Sequence, residues 1–255
     1  MPIVTPEEGL ATSRPEIAVG DQEMHAYFAC ARGKDRRPGV LLIHESFGVT
    51  AHMEDVTRRF ALAGFATLAP NLFVDFPAPP MGDAPTVIRA LNQFDDKKAL
   101  ERLSVASEWL KHHGRCNGNV GAVGFSMGGK LALLLAFTTN KLSAVVPFYG
   151  SIVPRTFPGM PPPAAGVQKI SPIDVAEGLA CPLQGHYAGK DASIPREDVD
   201  ALEKKLGPSG RTADFYFYPD ASHAFHNDHR PEVYLEASAK QAFQRTLEFL
   251  KKHLG

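Results

Sequence analysis

The stretch VGAVGFSMGGKLALLLA, Val120 to Ala136, decides the fold. It opens as a short apolar run, is interrupted by one hydroxyl among glycines, and resumes as an apolar run of helical length. Gly124-Phe125-Ser126-Met127-Gly128 is the pattern G-x-S-x-G. A nucleophile so placed stands on a tight strand-to-helix turn, where the glycines avoid clashes and the side chain projects above the sheet. The helix that follows begins with free amides, so the Met127 N–H can point at an oxyanion. A serine that merely begins a helix carries the same five letters, so the reading depends on the rest of the chain.

About five alternations of strand and helix surround this turn. GVLLIH (Gly39 to His44) is a short apolar run that ends in a polar, glycine-containing loop. HMEDVTRRFALAGF sets Val56, Phe60 and Leu62 or Ala63 at helical spacing, and ATLAPNLF (Ala66 to Phe73) reads as the next strand. ALERLSVASEWLKHH (Ala99 to His113) aligns Leu100, Leu103, Ala106 or Ser107, and Leu110 on one helical face. LSAVVPFYG (Leu142 to Gly150) is apolar on both faces, as a parallel sheet covered by helices requires. CPLQGHYAGKD starts as a strand and ends in a turn, and PREDVDALEKKLG carries proline near its start and glycine at its end, as helices do. TADFYFYPDASHAF is an aromatic strand entering a polar loop, and PEVYLEASAKQAFQRTLEFLKKHL closes the chain as a long helix. Near the start, EIAVGDQEMHAYFACARG reads as an antiparallel edge hairpin. VDFPAPPMG and IVPRTFPGMPPPAAG hold too many prolines for helices and read as wrapping loops. The pattern predicts an α/β fold: an open, mainly parallel sheet with helices on both faces and reactive groups at the carboxyl ends of the strands.

Composition narrows the partner. The chain has 255 residues, 44% of them hydrophobic, which suits a single domain spanning residues 1–255. With 27 Lys+Arg against 28 Asp+Glu the net charge is -1, which gives no global field to hold nucleic acid or an anionic membrane. Cys30, Cys116 and Cys181 are odd in number and widely spaced, against a disulfide framework or a thiolate metal site. MPIVTPEEGLATSRPEI carries acids and prolines where a signal peptide would carry basic residues and an apolar core, and no apolar run is long enough to cross a bilayer. A cytoplasmic protein acting on a small molecule is the expectation, as a monomer or small homo-oligomer.

Acyl-transfer chemistry on this fold needs an acid and then a histidine on later loops, and the chain supplies both in that order. Asp191 sits where a strand hands over to a helix. Asp174, Asp198 and Asp200 are poorer candidates, because they fall in helices or in a connecting segment. His223 follows a strand in the loop before the last helix, where a neutral imidazole can take the serine proton provided a carboxylate fixes its tautomer. His226 and His229 are competitors, and their spacing admits a metal; without helical context or a partner cluster, no metal is expected. The early loop HESFGVTAH begins where a second oxyanion amide is needed, which Ser46 or Phe47 could supply. Glu45 in that loop is either turned toward the nucleophile or a surface carboxylate, and His44 and His52 read as residues that order the loop.

HESFGVTAHMEDVTRRFALAGFATLAPNLF, VGAVGFSMGG, GHYAGKDASIP and YPDASHAFHND together resemble the dienelactone hydrolase family, which includes carboxymethylenebutenolidases. The likeness runs from about Glu16 to the C-terminus. It implies an α/β-hydrolase fold without a large cap domain, acting on small esters or lactones with no cofactor. It assigns Ser126 as nucleophile, Asp191 as acid, His223 as base, Glu45 as the carboxylate beside the resting nucleophile, and the amides of Ser46 and Met127 as the oxyanion hole.

Two departures stand out. Family members usually carry Cys where this chain has Ser126, so the chain is either a natural serine-using member or a Cys-to-Ser change. An alcohol needs general-base help during attack where a thiol needs less. Of the two arginines that bind the substrate carboxylate in dienelactone hydrolases, one position is Asn227 here; Arg230 is near but unmatched, and Arg89 corresponds only loosely to the other. Phe73, Phe76, Tyr149, Phe157 and Tyr187 are candidate pocket walls beside the proline-rich loops. A peptidase using the same triad, and a binding protein on the same scaffold without turnover, are the competing readings.

Overall fold

The computed structural model describes residues 2–155 and 161–255. Phe157, expected on the pocket wall, lies outside the described residues. The first elements are β1 (Leu10–Ser13), β2 (Glu16–Val19), β3 (Gln22–Ala31), β4 (Arg37–Ile43), α1 (Ala51–Leu62) and β5 (Ala66–Pro70). Then come α2 (Ala84–Gln93), α3 (Asp96–His112), β6 (Cys116–Phe125), α4 (Met127–Thr138), β7 (Ala144–Phe148) and the one-turn α5 (Pro172–Val175). β8 (Leu183–Ala188), α6 (Arg196–Leu206), β9 (Ala213–Tyr218) and α7 (Glu236–Leu254) complete the chain.

The sheet runs β1-β3-β5-β4-β6-β7-β8-β9, with β2 paired to β3. From β5 to β9 every pairing is parallel, while β1, β2 and β3 are antiparallel additions. The expected hairpin is β2–β3, but β3 is no edge strand: it bonds to both β1 and β5. The apolar runs become strands because both of their faces are covered. Gly39 approaches Leu110 of α3, whereas Gly121 packs against Leu250 and Leu254 of α7, so alternate residues meet helices on opposite sides. On the α7 side, α1 joins through Phe60 against Phe243, ring centroids 5.0 Å apart. This is the α/β-hydrolase fold, with no separate cap domain among the described residues.

Two expectations change in detail, and one element is added. Leu62 is 53% exposed, because the buried stripe of α1 runs through Met53, Val56 and Phe60 and has turned away by residue 62. The loop read over Val74 to Gly82 is a loop, and the stretch after it, to which no element was assigned, is helix α2, which Asp83 caps through the Thr86 N–H with Pro85 in its first turn. The closing helix begins at Glu236, five residues later than its sequence pattern, because Pro231 to Val233 form a turn and Leu235 is extended.

The chain leaves β4 toward β5 on one side and reaches β6 on the other, so the β4/β6 junction is a topological switch point. In open parallel sheets a crevice forms beyond the strand ends at such a point. Ser126 follows β6, the Glu45–Ser46 loop follows β4, Asp191 follows β8 and His223 follows β9.

Candidate active site

Ser126 stands at φ 54, ψ -112, a backbone conformation that costs energy for any residue with a side chain. Its surroundings hold it there. The Ser126 N–H donates to Phe148 O at 3.0 Å, and Ser126 O accepts from the Lys130 N–H, also at 3.0 Å. The flanking glycines are required by close approach. A Cβ on Gly124 would lie 2.0 Å from Gly128 O, and one on Gly128 would lie 2.2 Å from Ile43 O. The other non-glycine residues at positive φ among those described are Tyr149 and Ala224, one lining the cleft and one just after His223. Backbone strain therefore gathers around one cleft.

Two hydrogen bonds run in series through that cleft. Ser126 Oγ lies 2.9 Å from His223 Nε2, and His223 Nδ1 lies 2.6 Å from Asp191 Oδ2. Asp191 Oδ1 accepts from the Ser193 N–H at 2.9 Å and the Ser193 hydroxyl at 2.5 Å. The Asp191 side chain is 3% exposed and that of His223 is 36%. Burial pushes the Asp191 carboxyl up, but the His223 hydrogen bond and charge, with the two Ser193 donors, outweigh it and hold the group below the usual carboxylate range. A carboxylate so held makes Nδ1 the protonated nitrogen and leaves Nε2 free to accept from the serine.

The cleft is a cavity of about 440 Å³, within the range of small-molecule sites. Ser46, Ser126, Met127, Tyr149 and His223 line its floor, with Leu91, Phe94 and Pro161 to Pro163 on its walls. Lys130, one helical turn beyond Ser126, also lines it and is ion-paired with Asp96. Asp96 in turn accepts from the Ile170 N–H at 2.7 Å, and Asp95 accepts from the Gln168 N–H at 2.9 Å, so the start of α3 clips the segment that carries the proline wall. The Lys130–Asp96 pair was missed in the sequence, although its signal was present: Lys130 lies at i+4 from Ser126 and so shares its helical face.

Several expected pocket residues lie elsewhere. Tyr187, the penultimate residue of β8, is buried because its ring turns against Phe215 and Phe217 of β9. Phe76 packs on Phe73, which packs on the wall residue Phe94, so Phe76 is two rings removed from the cavity. Asn227 is buried and donates through Nδ2 to Glu45 Oε2 at 2.6 Å, anchoring that carboxylate instead of facing substrate. Glu45 is itself buried and lies behind the cavity lining, with Oε1 unpartnered among the described residues. Burial first, and the Glu45 charge second, push the neighbouring Tyr149 phenol well above its ordinary value. His226 is fully buried against Phe125 and Phe148, and His229 groups with His52 and Asp228. Asp228 already accepts from Arg59 at 3.0 Å and from the Ile3 N–H at 2.5 Å, so a guanidinium occupies the space beside that group.

The family model for dienelactone hydrolases matches residues 24–254. The chain belongs to the dienelactone hydrolase family. Relatives named "Putative carboxymethylenebutenolidase" share 34% identity in Salmonella typhi and 32% in Escherichia coli K12, over 99% of this chain and 92% and 91% of theirs. A solved structure described as "Putative Dienelactone Hydrolase", from Klebsiella pneumoniae, superposes with TM-score 0.83 at 31% identity, covering 94% of this chain and 97% of that one. This dienelactone hydrolase family member is an ester hydrolase acting on small esters or lactones. None of its described helices is long and apolar enough to cross a membrane.

Proposed function

We propose that this one-domain hydrolase opens small esters or lactones through a covalent acyl-serine, with Ser126 as its natural nucleophile. Ser126 Oγ attacks the carbonyl carbon while His223 Nε2 takes its proton, and Asp191 keeps the imidazole in the accepting tautomer. The backbone N–H groups of Ser46 and Met127 stabilise the tetrahedral oxyanion. His223 then returns the proton to the departing alkoxide. Water repeats the sequence on the acyl-enzyme, releasing the acid and restoring Ser126. In a lactone the alkoxide stays tethered to the acyl group, so ring opening and ester cleavage share one site.

The observation that carries this reading is the pair of hydrogen bonds, 2.9 and 2.6 Å, joining Ser126, His223 and Asp191 across three separate loops. A histidine that only ordered a loop would have no need of both. The cavity supports a small substrate. Incubation with a serine-directed phosphonate followed by intact-mass measurement tests the mechanism: a single adduct is expected on the native chain and none on Ser126→Ala. An adduct that persists in Ser126→Ala, or turnover of a p-nitrophenyl ester by that variant at the native rate, overturns it.

A further inference from the structure

We infer that His44 is a positioning residue for catalysis, fixing from behind the peptide plane that presents the Ser46 amide to the oxyanion. The inference rests on the oxyanion role proposed above for Ser46 and adds the group that sets its direction.

His44 follows β4 directly and is fully buried. Its two ring nitrogens make two different bonds. The Leu72 N–H donates to His44 Nε2 at 3.0 Å, and His44 Nδ1 lies 2.6 Å from Glu45 O. A backbone N–H can only donate and a carbonyl can only accept, so the tautomer follows: Nε2 is bare and Nδ1 carries the proton. Burial supports the neutral form, pushing the imidazole down to about 4. The ring cannot swing away, because it stacks on Phe73 with centroids 5.6 Å apart and planes 19° off parallel. The loop that supplies Leu72 is held by the neighbouring Asn71 N–H, which donates to His25 O at 2.8 Å.

The acceptor is the carbonyl of the Glu45–Ser46 peptide, whose nitrogen is that of Ser46. No cis peptide bond is present among the described residues. In a planar trans unit the C=O and N–H point in opposite directions, so holding the oxygen on one side aims the hydrogen to the other. Ser46 lines the cavity together with Ser126 and Met127. The second amide is fixed against the same residue, since Gly128, adjacent to Met127, presses on the carbonyls of Ile43 and His44 so closely that an added Cβ would lie 2.2 and 2.6 Å from their oxygens. His44 therefore joins both halves of the hole. Its ring sets one amide, and its backbone abuts the turn that carries the other.

Three variants test this. His44→Gln keeps a donor for Glu45 O and an acceptor for Leu72 N–H at similar reach, His44→Leu keeps neither, and His44→Phe keeps the ring without the polar atoms. Each is assayed on an oxoester and the matching thionoester, whose sulfur accepts hydrogen bonds poorly and gains little from oxyanion donors. Loss of one oxyanion donor slows catalysis by about 10²–10³-fold, so misdirecting one is expected to lower the oxoester kcat by about 10- to 100-fold at similar KM. His44→Phe and His44→Leu should lower the oxoester-to-thionoester ratio by about tenfold, and His44→Gln should hold it within about threefold of native. The shape of the kcat/KM pH profile should not change. If His44→Phe fails to fold, the Leu and Gln variants decide between them. Equal losses on both substrates, or a ratio that falls as far in Gln as in Leu, overturns the inference. Native turnover and phosphonylation report separately on the serine mechanism, so failure there is distinguishable from failure of the His44 role.

Discussion

Acidification should unfold this protein through its interior histidines. His186 is buried in β8, with Nδ1 2.9 Å from the Tyr218 hydroxyl and Nε2 3.1 Å from Thr246 Oγ1. The Thr246 hydroxyl donates to Ala242 O at 2.8 Å, so its oxygen accepts from Nε2–H, and Nδ1 accepts from Tyr218. The ring is neutral, and burial, with the Arg245 charge second, pushes it down to about 3. Burial likewise pushes His44 down to about 4 and His226 well below its ordinary value. The folded pKa values are depressed, so their stabilisation is complete above the unfolded value of about 6.5 and is lost as pH falls below it toward the folded values. In that window the unfolded chain binds up to three more protons than the folded one, at about 1.4 kcal/mol per proton per pH unit. Three protons give a slope of about 4 kcal/mol per unit, or about 6 kcal/mol between pH 6 and 4.5, comparable with a typical total of about 5–15 kcal/mol. Asp191 and Asp228, held low in the folded state, add losses of the same sign only as their unfolded forms protonate, near and below about pH 4. The assay is urea unfolding at about pH 7.5, 6 and 4.5 for the native chain and His186→Gln, whose slope should be smaller by about 1.4 kcal/mol per unit. Identical slopes in the two proteins would refute the claim that His186 is held neutral.

Other outcomes follow from single contacts. Gly128→Ala places a Cβ against two backbone carbonyls that cannot swing aside, so it should lower the melting temperature markedly and cut kcat more than it raises KM. Asn227→Leu removes the Glu45 anchor and leaves a buried carboxylate unpaired; about 1–3 kcal/mol of stability should disappear in chemical denaturation. Ser126→Cys should give no gain on a p-nitrophenyl ester if the site is built for an alcohol, and a large gain would show that the chain is tuned for a thiol. Asp96→Asn weakens the Lys130 pair beside the proline wall, so KM should change more than kcat in steady-state assays.

What the sequence disclosed and what it withheld divide along the range of the interaction. The elbow at Ser126, the acid at Asp191 and the histidine at His223 could be named because each is announced by its immediate neighbours: an apolar run ending, a turn beginning, and a chain order that one chemistry demands. The cavity wall could not be read this way. Tyr187 and Phe76 carry the side chains of a pocket, yet whether an aromatic ring faces a cavity depends on which way it turns from its backbone and on what packs in front of it. Asn227 shows the same limit, since its partner Glu45 is 182 residues distant and only the folded chain brings the two within 2.6 Å. Helix α2 was hidden because the proline density just before it outweighed the Asp83 cap. His44 falls between these cases. Its place at the end of an apolar run marked it as a loop-ordering residue, but the peptide it orders is known only once Leu72, 28 residues downstream, is seen to claim its other nitrogen. The short-range code thus marks the residues that meet at the cleft, while the hydrogen bonds that hold Glu45 and its loop in place come from side chains outside the cavity lining whose partners are distant in sequence.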